Sequence, residues 1–154
     1  MVRDLEVGPG VSVRHHHIGL VVPDISRAAA DIMSQFGYRA VSRVIHDALQ
    51  TAFVQFFRLG SDQTLLELVA PDGPESKLSV AARRRMGLHH LCFAVEDIQE
   101  TCRRLAEEGM VVVQEPVPAV AFRGRRIAWL MGRNRVLTEL VEEGKDEWSS
   151  PDGQ

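Results

Sequence analysis

Cysteine is scarce: Cys92 and Cys102 are the only two in 154 residues. So few exclude a disulfide framework of the kind that staples small secreted domains. Cys92 sits in an apolar strand pattern and reads as a small core residue. Cys102 falls on a predicted helix, and neither thiol is expected to do chemistry. Long apolar runs are missing as well. Nothing approaches the roughly 20 residues that cross a bilayer, so no membrane partner is expected. The first ten residues carry no apolar stretch of the kind a secretory signal needs, which sets a cytoplasmic expectation. A surplus of positive charge is missing too: the formal net charge is −3, which gives no reason to expect nucleic acid as a partner. One local exception is Arg123, Arg125, Arg126, Arg133 and Arg135, five arginines in a short span. Such runs are most often solvated surface; the functional alternative is an anion-binding loop.

What is present is an ordinary globular balance, 45% hydrophobic and 25% charged, in a chain long enough for one domain with its own core. Within it the chain says nearly the same thing twice. Residues 16–25 read His-His-Ile-Gly-Leu-Val-Val-Pro-Asp-Ile, and residues 89–98 read His-His-Leu-Cys-Phe-Ala-Val-Glu-Asp-Ile, at an offset of 73. A second echo pairs Leu65-Leu66-Glu67-Leu68-Val69 with Leu137-Thr138-Glu139-Leu140-Val141, at an offset of 72.

Local signals divide the chain accordingly. Residues 1–13 read as a flexible leader. A strand is expected over 14–22, and Asp24 caps a helix over 25–36 that Gly37 closes. Strands follow near 38–46, 51–59 and 63–70. Pro71-Asp72-Gly73-Pro74 opens a linker over 72–86 with a short helix at 77–85. The pattern then restarts: a strand at 88–95, a helix at 98–108 with Asp97 and Glu100 as its capping box, and Gly109 matching Gly37. Strands near 110–115, 119–130 (broken at Arg123-Gly124-Arg125) and 135–142 complete it. The tail 143–154 is polar and expected to fray. The fold class is α+β: one domain over 14–142 built of two paired β-α-β-β-β modules, 14–71 and 87–142. Two such modules are too few for a solenoid, so packing side by side around a shared cleft is the expected way to bury their apolar faces.

Strand period two assigns faces. Glu67 shares its face with Leu65 and Val69, and Glu139 with Leu137 and Val141. A carboxylate set in an apolar stripe must be paired, protonated or bound to metal. His17 shares its face with Gly19 and Val21, and His90 with Cys92 and Ala94. A lone histidine or glutamate on a strand is usually structural. Here a His/Glu pair recurs at almost one spacing, and pseudo-twofold packing would bring His17, Glu67, His90 and Glu139 around one divalent ion. Two imidazoles and two carboxylates suit Co²⁺, Ni²⁺, Mn²⁺, Fe²⁺ or Zn²⁺. An octahedral ion so held keeps two adjacent positions for a bidentate oxygen ligand. His16 and His89 are expected on the opposite face, as packing or supporting residues.

The layout resembles the vicinal oxygen chelate (glyoxalase-like) superfamily, in which paired modules form a curved-sheet cleft around a metal. It covers about residues 14–142. Within the superfamily it is most similar to the methylmalonyl-CoA epimerases, through His17–Val22, Leu66–Pro71, Gly87–Ile98 and Arg135–Leu140. The resemblance puts the metal positions on His17, Glu67, His90 and Glu139. It implies a metal-dependent isomerase that stabilises an enolate of a 2-substituted acyl thioester, an acyl-CoA substrate and a homodimer. Two stretches depart from the pattern. Where such epimerases carry a third-strand glutamate, this chain has Ala52-Phe53-Val54-Gln55, and Met131-Gly132-Arg133-Asn134 replaces a His-Pro-Lys-like stretch. Without that acid the expected bases are the ligand glutamates, Glu139 ahead of Glu67. Gln55 is expected to orient substrate or relay a proton, with Gln50 and His46 as weaker alternatives. Arg123, Arg125 and Arg126 are expected to hold a substrate carboxylate or phosphates. The alternatives on the same scaffold are a glyoxalase I-type lactoylglutathione lyase, a dioxygenase or other enzyme of secondary metabolism, and a non-enzymatic small-molecule resistance protein.

Overall fold

The structure, a computed structural model, describes residues 12–84, 87–146 and 148. The first half runs β1 (Val13–Val21), α1 (Ile25–Phe36), β2 (Arg39–Ala40), β3 (Ile45–Asp47), β4 (Ala52–Arg58) and β5 (Leu65–Pro71). A short helix α2 (Ser79–Arg83) lies in the connection. The second half runs β6 (Leu88–Val95), α3 (Ile98–Glu107), β7 (Val111–Pro118), a 3-10 turn (Val120–Phe122), β8 (Arg126–Met131) and β9 (Leu137–Glu142). Most of the leader expected over 1–13 lies outside the described residues.

Both long helices begin and end as their caps dictate. The Asp24 carboxylate accepts the Arg27 N–H at 3.0 Å, and that of Asp97 accepts the Glu100 N–H at 2.9 Å. Gly37 closes α1 in the left-handed region, at φ 79°, where a side chain would be strained. The strand expected over 38–46 is divided in two. Between β2 and β3 the hydroxyl of Ser42 accepts the Phe56 N–H at 2.9 Å, so a side chain takes the place of a ladder carbonyl. The stretch 119–130 breaks as expected, through the 3-10 turn with Arg123 at φ 54° and Gly124 at φ 88°, and only β8 is strand.

The strands form one open sheet in the order β2-β4-β5-β1-β6-β9-β8-β7, with β3 beside β4. Its centre is the antiparallel pair β1–β6, and each of these strands has a parallel neighbour from its own half, β5 and β9. The order therefore reads the same outward from the middle in both directions. Helices cover one face: Ile25 and Ala29 of α1 pack on Phe57, Leu68 and Ala70, and Ile98 and Cys102 of α3 pack on Ala128, Leu130 and Leu140. The other face carries the largest apolar cluster, with Val54, Phe56, Val69, Cys92 and Phe122. Phe56 and Phe57 are both fully buried although they point to opposite faces, each worth about 1.5–3 kcal/mol of burial. The tail is not wholly frayed. Trp148 stacks on Phe56 with ring centroids 4.4 Å apart, and its indole N–H donates to the Ala121 carbonyl at 2.7 Å. Among the described residues no helix is long and apolar enough to cross a membrane.

Candidate metal centre

The face opposite the helices holds the two repeated phrases in register. Gly19 on β1 is paired with Glu67 on one side and His90 on the other. Cys92 on β6 is paired with Glu139 on one side and His17 on the other. Cross-strand partners point the same way, so Glu67–Gly19–His90 and Glu139–Cys92–His17 form two adjacent rows related by the pseudo-twofold axis. A small residue lies in the middle of each row. At Gly19 the space is fully used: a Cβ there would sit 2.1 Å from Cε1 of His90.

The four side chains converge. His17 Nε2 lies 3.0 Å from His90 Nε2, 3.0 Å from Glu67 Oε2 and 3.1 Å from Glu139 Oε2. His90 Nε2 lies 3.1 Å from Glu67 Oε2 and 3.2 Å from Glu139 Oε2. All four residues are buried, and their ligand atoms fall within 4.8 Å of one another. Although Glu67 Oε2 is this close to both imidazoles, it makes no hydrogen bond. These distances suit a shared ion better than shared protons. Bonds of about 2.1 Å at right angles put neighbouring donor atoms about 3.0 Å apart, whereas tetrahedral angles put them about 3.4 Å apart. The five His–His and His–Glu distances, 3.0–3.2 Å, lie nearer the first spacing, and the donors fit a divalent ion of octahedral habit.

Electrostatics agree. Burial opposes charge on His17 and His90, yet Glu67 and Glu139 beside them raise both imidazoles above their ordinary range. Burial likewise opposes charge on the two glutamates, and the imidazoles hold both carboxyls below theirs. Burial pushes the Cys92 thiol up to about 12, so it stays neutral among these groups.

His16 and His89 are not on the opposite face. The β1–β6 pairing shifts register between His15 and His17, and again between Gly19 and Leu20, opposite His89. Each irregularity turns an extra histidine toward its neighbour. Nδ1 of His16 is 2.8 Å from Nδ1 of His17, and Nδ1 of His89 is 2.8 Å from Nδ1 of His90. If Nε2 of His17 binds an ion, its Nδ1–H donates to His16. His16 then donates its Nε2–H to Asp146 Oδ2, 2.8 Å away. Arg125 in turn pairs with Asp146. Burial and the neighbouring His90 hold His89 down to about 4, so it is neutral.

Three of the four, Glu67, His90 and Glu139, line a cavity of about 460 Å³ with Asp47, Gln50, Lys77, His89, Gln114 and Trp129. Of the four residues first expected to bind substrate, Gln55, Arg123, Arg125 and Arg126, none reaches this wall. Gln55 lies on the other face of β4 from Val54 and donates to the Ser42 carbonyl at 3.0 Å. Arg126 pairs with Glu142, Arg125 is held by Asp146 and the Glu142 carbonyl, and Arg123 is exposed beyond the 3-10 turn. His46 pairs with Asp72 at 2.9 Å, outside the cavity wall. Gln50 does line it. Asp47, Gln114 and Trp129 carry no motif and could be found only through register. The Asp47 carboxyl is raised by burial and by the charges of Glu139 and Glu67, and it accepts the Gln50 N–H at 3.1 Å.

The family model of the Glyoxalase/Bleomycin resistance protein/Dioxygenase superfamily matches residues 16–129. The chain belongs to this superfamily. Among its curated relatives, the ethylmalonyl-CoA/methylmalonyl-CoA epimerase of Cereibacter sphaeroides is 30% identical over 133 residues, covering 84% of this chain and 97% of the relative. The mitochondrial methylmalonyl-CoA epimerase of Dictyostelium discoideum is 27% identical over 135 residues, covering 83% of this chain and 77% of the relative. The solved structure of a hypothetical protein from Bacillus halodurans C-125 superposes with a TM-score of 0.77 at 26% identity, over 88% of this chain and 98% of that one. The glyoxalase-like architecture of the superfamily is the α+β arrangement of two β-α-β-β-β halves described above.

Proposed function

We propose that this protein is a divalent-metal-dependent epimerase of the methylmalonyl-CoA type, acting on a 2-substituted acyl thioester. The observation that carries this is the buried His17–Glu67–His90–Glu139 set, with each imidazole 3.0–3.2 Å from both carboxylates, at the wall of a cavity. The names of the two curated epimerase relatives support the substrate class. Those four residues would hold the ion, and the spacing favours Co²⁺, Ni²⁺, Mn²⁺ or Fe²⁺ over a tetrahedral Zn²⁺. When bound, it supplies Lewis acidity to the substrate's carbonyl oxygens, which acidifies the carbon between them.

The protein's own residues do the rest. Inversion requires a proton to leave one face of the α-carbon and return on the other. Three carboxylates face the cavity, Asp47 from β3 and Glu67 from β5 in the first half and Glu139 from β9 in the second. Asp47 has no imidazole partner, and its raised affinity for protons makes it the best base of the three. Glu139 and Glu67 are each within 3.2 Å of both imidazoles, which positions them as ligands first. The electron pair of the broken C–H bond moves toward the thioester carbonyl and returns when the proton is restored. Apolar walls from Val54, Val69, Phe122 and Ile127 keep bulk water away. Lys77, exposed beside the cavity, offers an ammonium to the phosphates of a carrier such as coenzyme A. The assembly we propose is a homodimer, which light scattering measures directly.

The test is solvent exchange. Metal-loaded protein in D₂O, given methylmalonyl-CoA, should replace the α-proton as read by proton NMR, and chelation should stop it. Turnover of a methylglyoxal–glutathione hemithioacetal without α-exchange on any thioester would overturn the proposal in favour of a glyoxalase.

A further inference from the structure

Among the described residues, four buried side-chain nitrogen or oxygen atoms have no hydrogen-bond partner: Gln50 Nε2, Glu67 Oε2, Gln114 Nε2 and Trp129 Nε1. All four belong to residues of the same cavity wall. Glu67 Oε2 is a member of the metal set. The other three are donors, and the indole N–H can only donate. A buried donor without an acceptor is costly, and native structures keep few of them, so three around one cavity point to an acceptor supplied from outside.

Their placement shows where that acceptor would lie. Gln114 on β7 is paired with Trp129 on β8, and Trp129 with Glu139 on β9. The three therefore stand in one row that continues through Cys92 to His17. The Trp129 ring packs edge-on against His90, with centroids 4.8 Å apart. Gln50 comes from the β3–β4 turn of the other half. Among the described residues no arginine lines the cavity, and the one lysine that does, Lys77, donates to the Leu49 carbonyl at 3.2 Å.

We infer that Gln50, Gln114 and Trp129 form a neutral donor subsite that reads a carboxylate on the carbon beside the thioester. The subsite thereby separates 2-carboxyacyl thioesters from plain acyl thioesters. This rests on the epimerase proposal above. Neutral donors suit the task, because a divalent ion beside them already supplies the positive charge. The rejection is strong for a physical reason: a plain acyl group would leave the same donors buried and unpaired.

The experiment is calorimetric binding of malonyl-CoA and propionyl-CoA to metal-loaded protein. The wild type should prefer malonyl-CoA by about tenfold or more. W129F keeps an aromatic side chain and loses the indole N–H together with the five-membered ring that carries it; Q114L loses the amide. Each should weaken malonyl-CoA by about five- to tenfold and leave propionyl-CoA unchanged. Q114E, nearly isosteric, should weaken malonyl-CoA further by placing like charges together. Metal content and melting temperature are measured for each variant. Equal weakening of both ligands, or weakening of neither, would overturn the subsite. A wild type that exchanges no α-proton of any acyl thioester would instead overturn the epimerase proposal, so the two failures are distinguishable.

Discussion

Replacing Gly19 with alanine tests the site through its tightest contact. Alanine is ordinarily the better strand residue, by about 0.5–1 kcal/mol, because glycine loses more chain entropy on folding. The Gly19 backbone is not in the left-handed region, so conformation alone predicts a gain. The tertiary contact predicts the opposite. The new methyl would lie 2.1, 2.4 and 2.5 Å from Cε1, Nδ1 and Nε2 of His90. Carbon contacts relax to about 3.5–4.0 Å, so the imidazole must retreat by more than about 1 Å. That movement breaks the 3.0–3.2 Å spacing on which all four ligand atoms depend. Overpacking costs about 1–3 kcal/mol, which for a domain of this size lowers Tm by about 2–12 °C. Metal affinity should fall by at least the 10–100-fold typical of disturbing a ligand's support. Chelator competition and thermal melts with and without metal read both effects. G19A/H90A provides the cross-check: with the ring gone, the methyl has nothing to strike, and the alanine should cost nothing further. Wild-type metal affinity in G19A, or an equal penalty with and without the His90 ring, would refute the packing that defines the site.

Three other outcomes are expected. H16A removes the acceptor for His17 Nδ1–H and releases Asp146, so metal affinity should drop about 10–100-fold while the four ligands remain, as chelator competition would show. D47N should slow α-proton exchange by about 10²-fold or more without loss of metal. In metal-free protein D47N should also raise Tm near pH 7: the folded-state pKa of Asp47 is raised, so its ionisation costs stability above that pKa and nothing once pH falls below the unfolded value near 3.8. A melt series from pH 3 to 8 should show the D47N advantage vanish at the acid end. W148A removes the stacking on Phe56 and the hydrogen bond to Ala121, and should cost about 2–4 kcal/mol in denaturant melts.

Much of this was legible in the chain because the signals are local. Asp24, Gly37 and Asp97 mark helix ends through groups within four residues of them. The period-two pattern assigned Glu67 and Glu139 to apolar faces, and the repeat singled out His17 and His90. The same pattern misplaced His16 and His89, because a register shift in the β1–β6 pairing reverses a face without any mark in hydrophobicity. The arginine run directed Arg125 and Arg126 to substrate, whereas Asp146 and Glu142 engage them. Asp47 escaped notice because β3 is only three residues long, too short to show a period.

The sequence by itself determined the two halves, the ends of their helices and the chemical identity of a two-histidine, two-glutamate set. Only the tertiary structure decided that these four side chains converge, with each imidazole 3.0–3.2 Å from both carboxylates, that Gly19 leaves room for His90, and that Gln114 and Trp129 extend the row of Glu139 as unpaired donors. The reason is the same in each case. A residue's neighbours along the chain follow from its position, whereas its neighbours across a sheet depend on pairing register, which the whole fold sets.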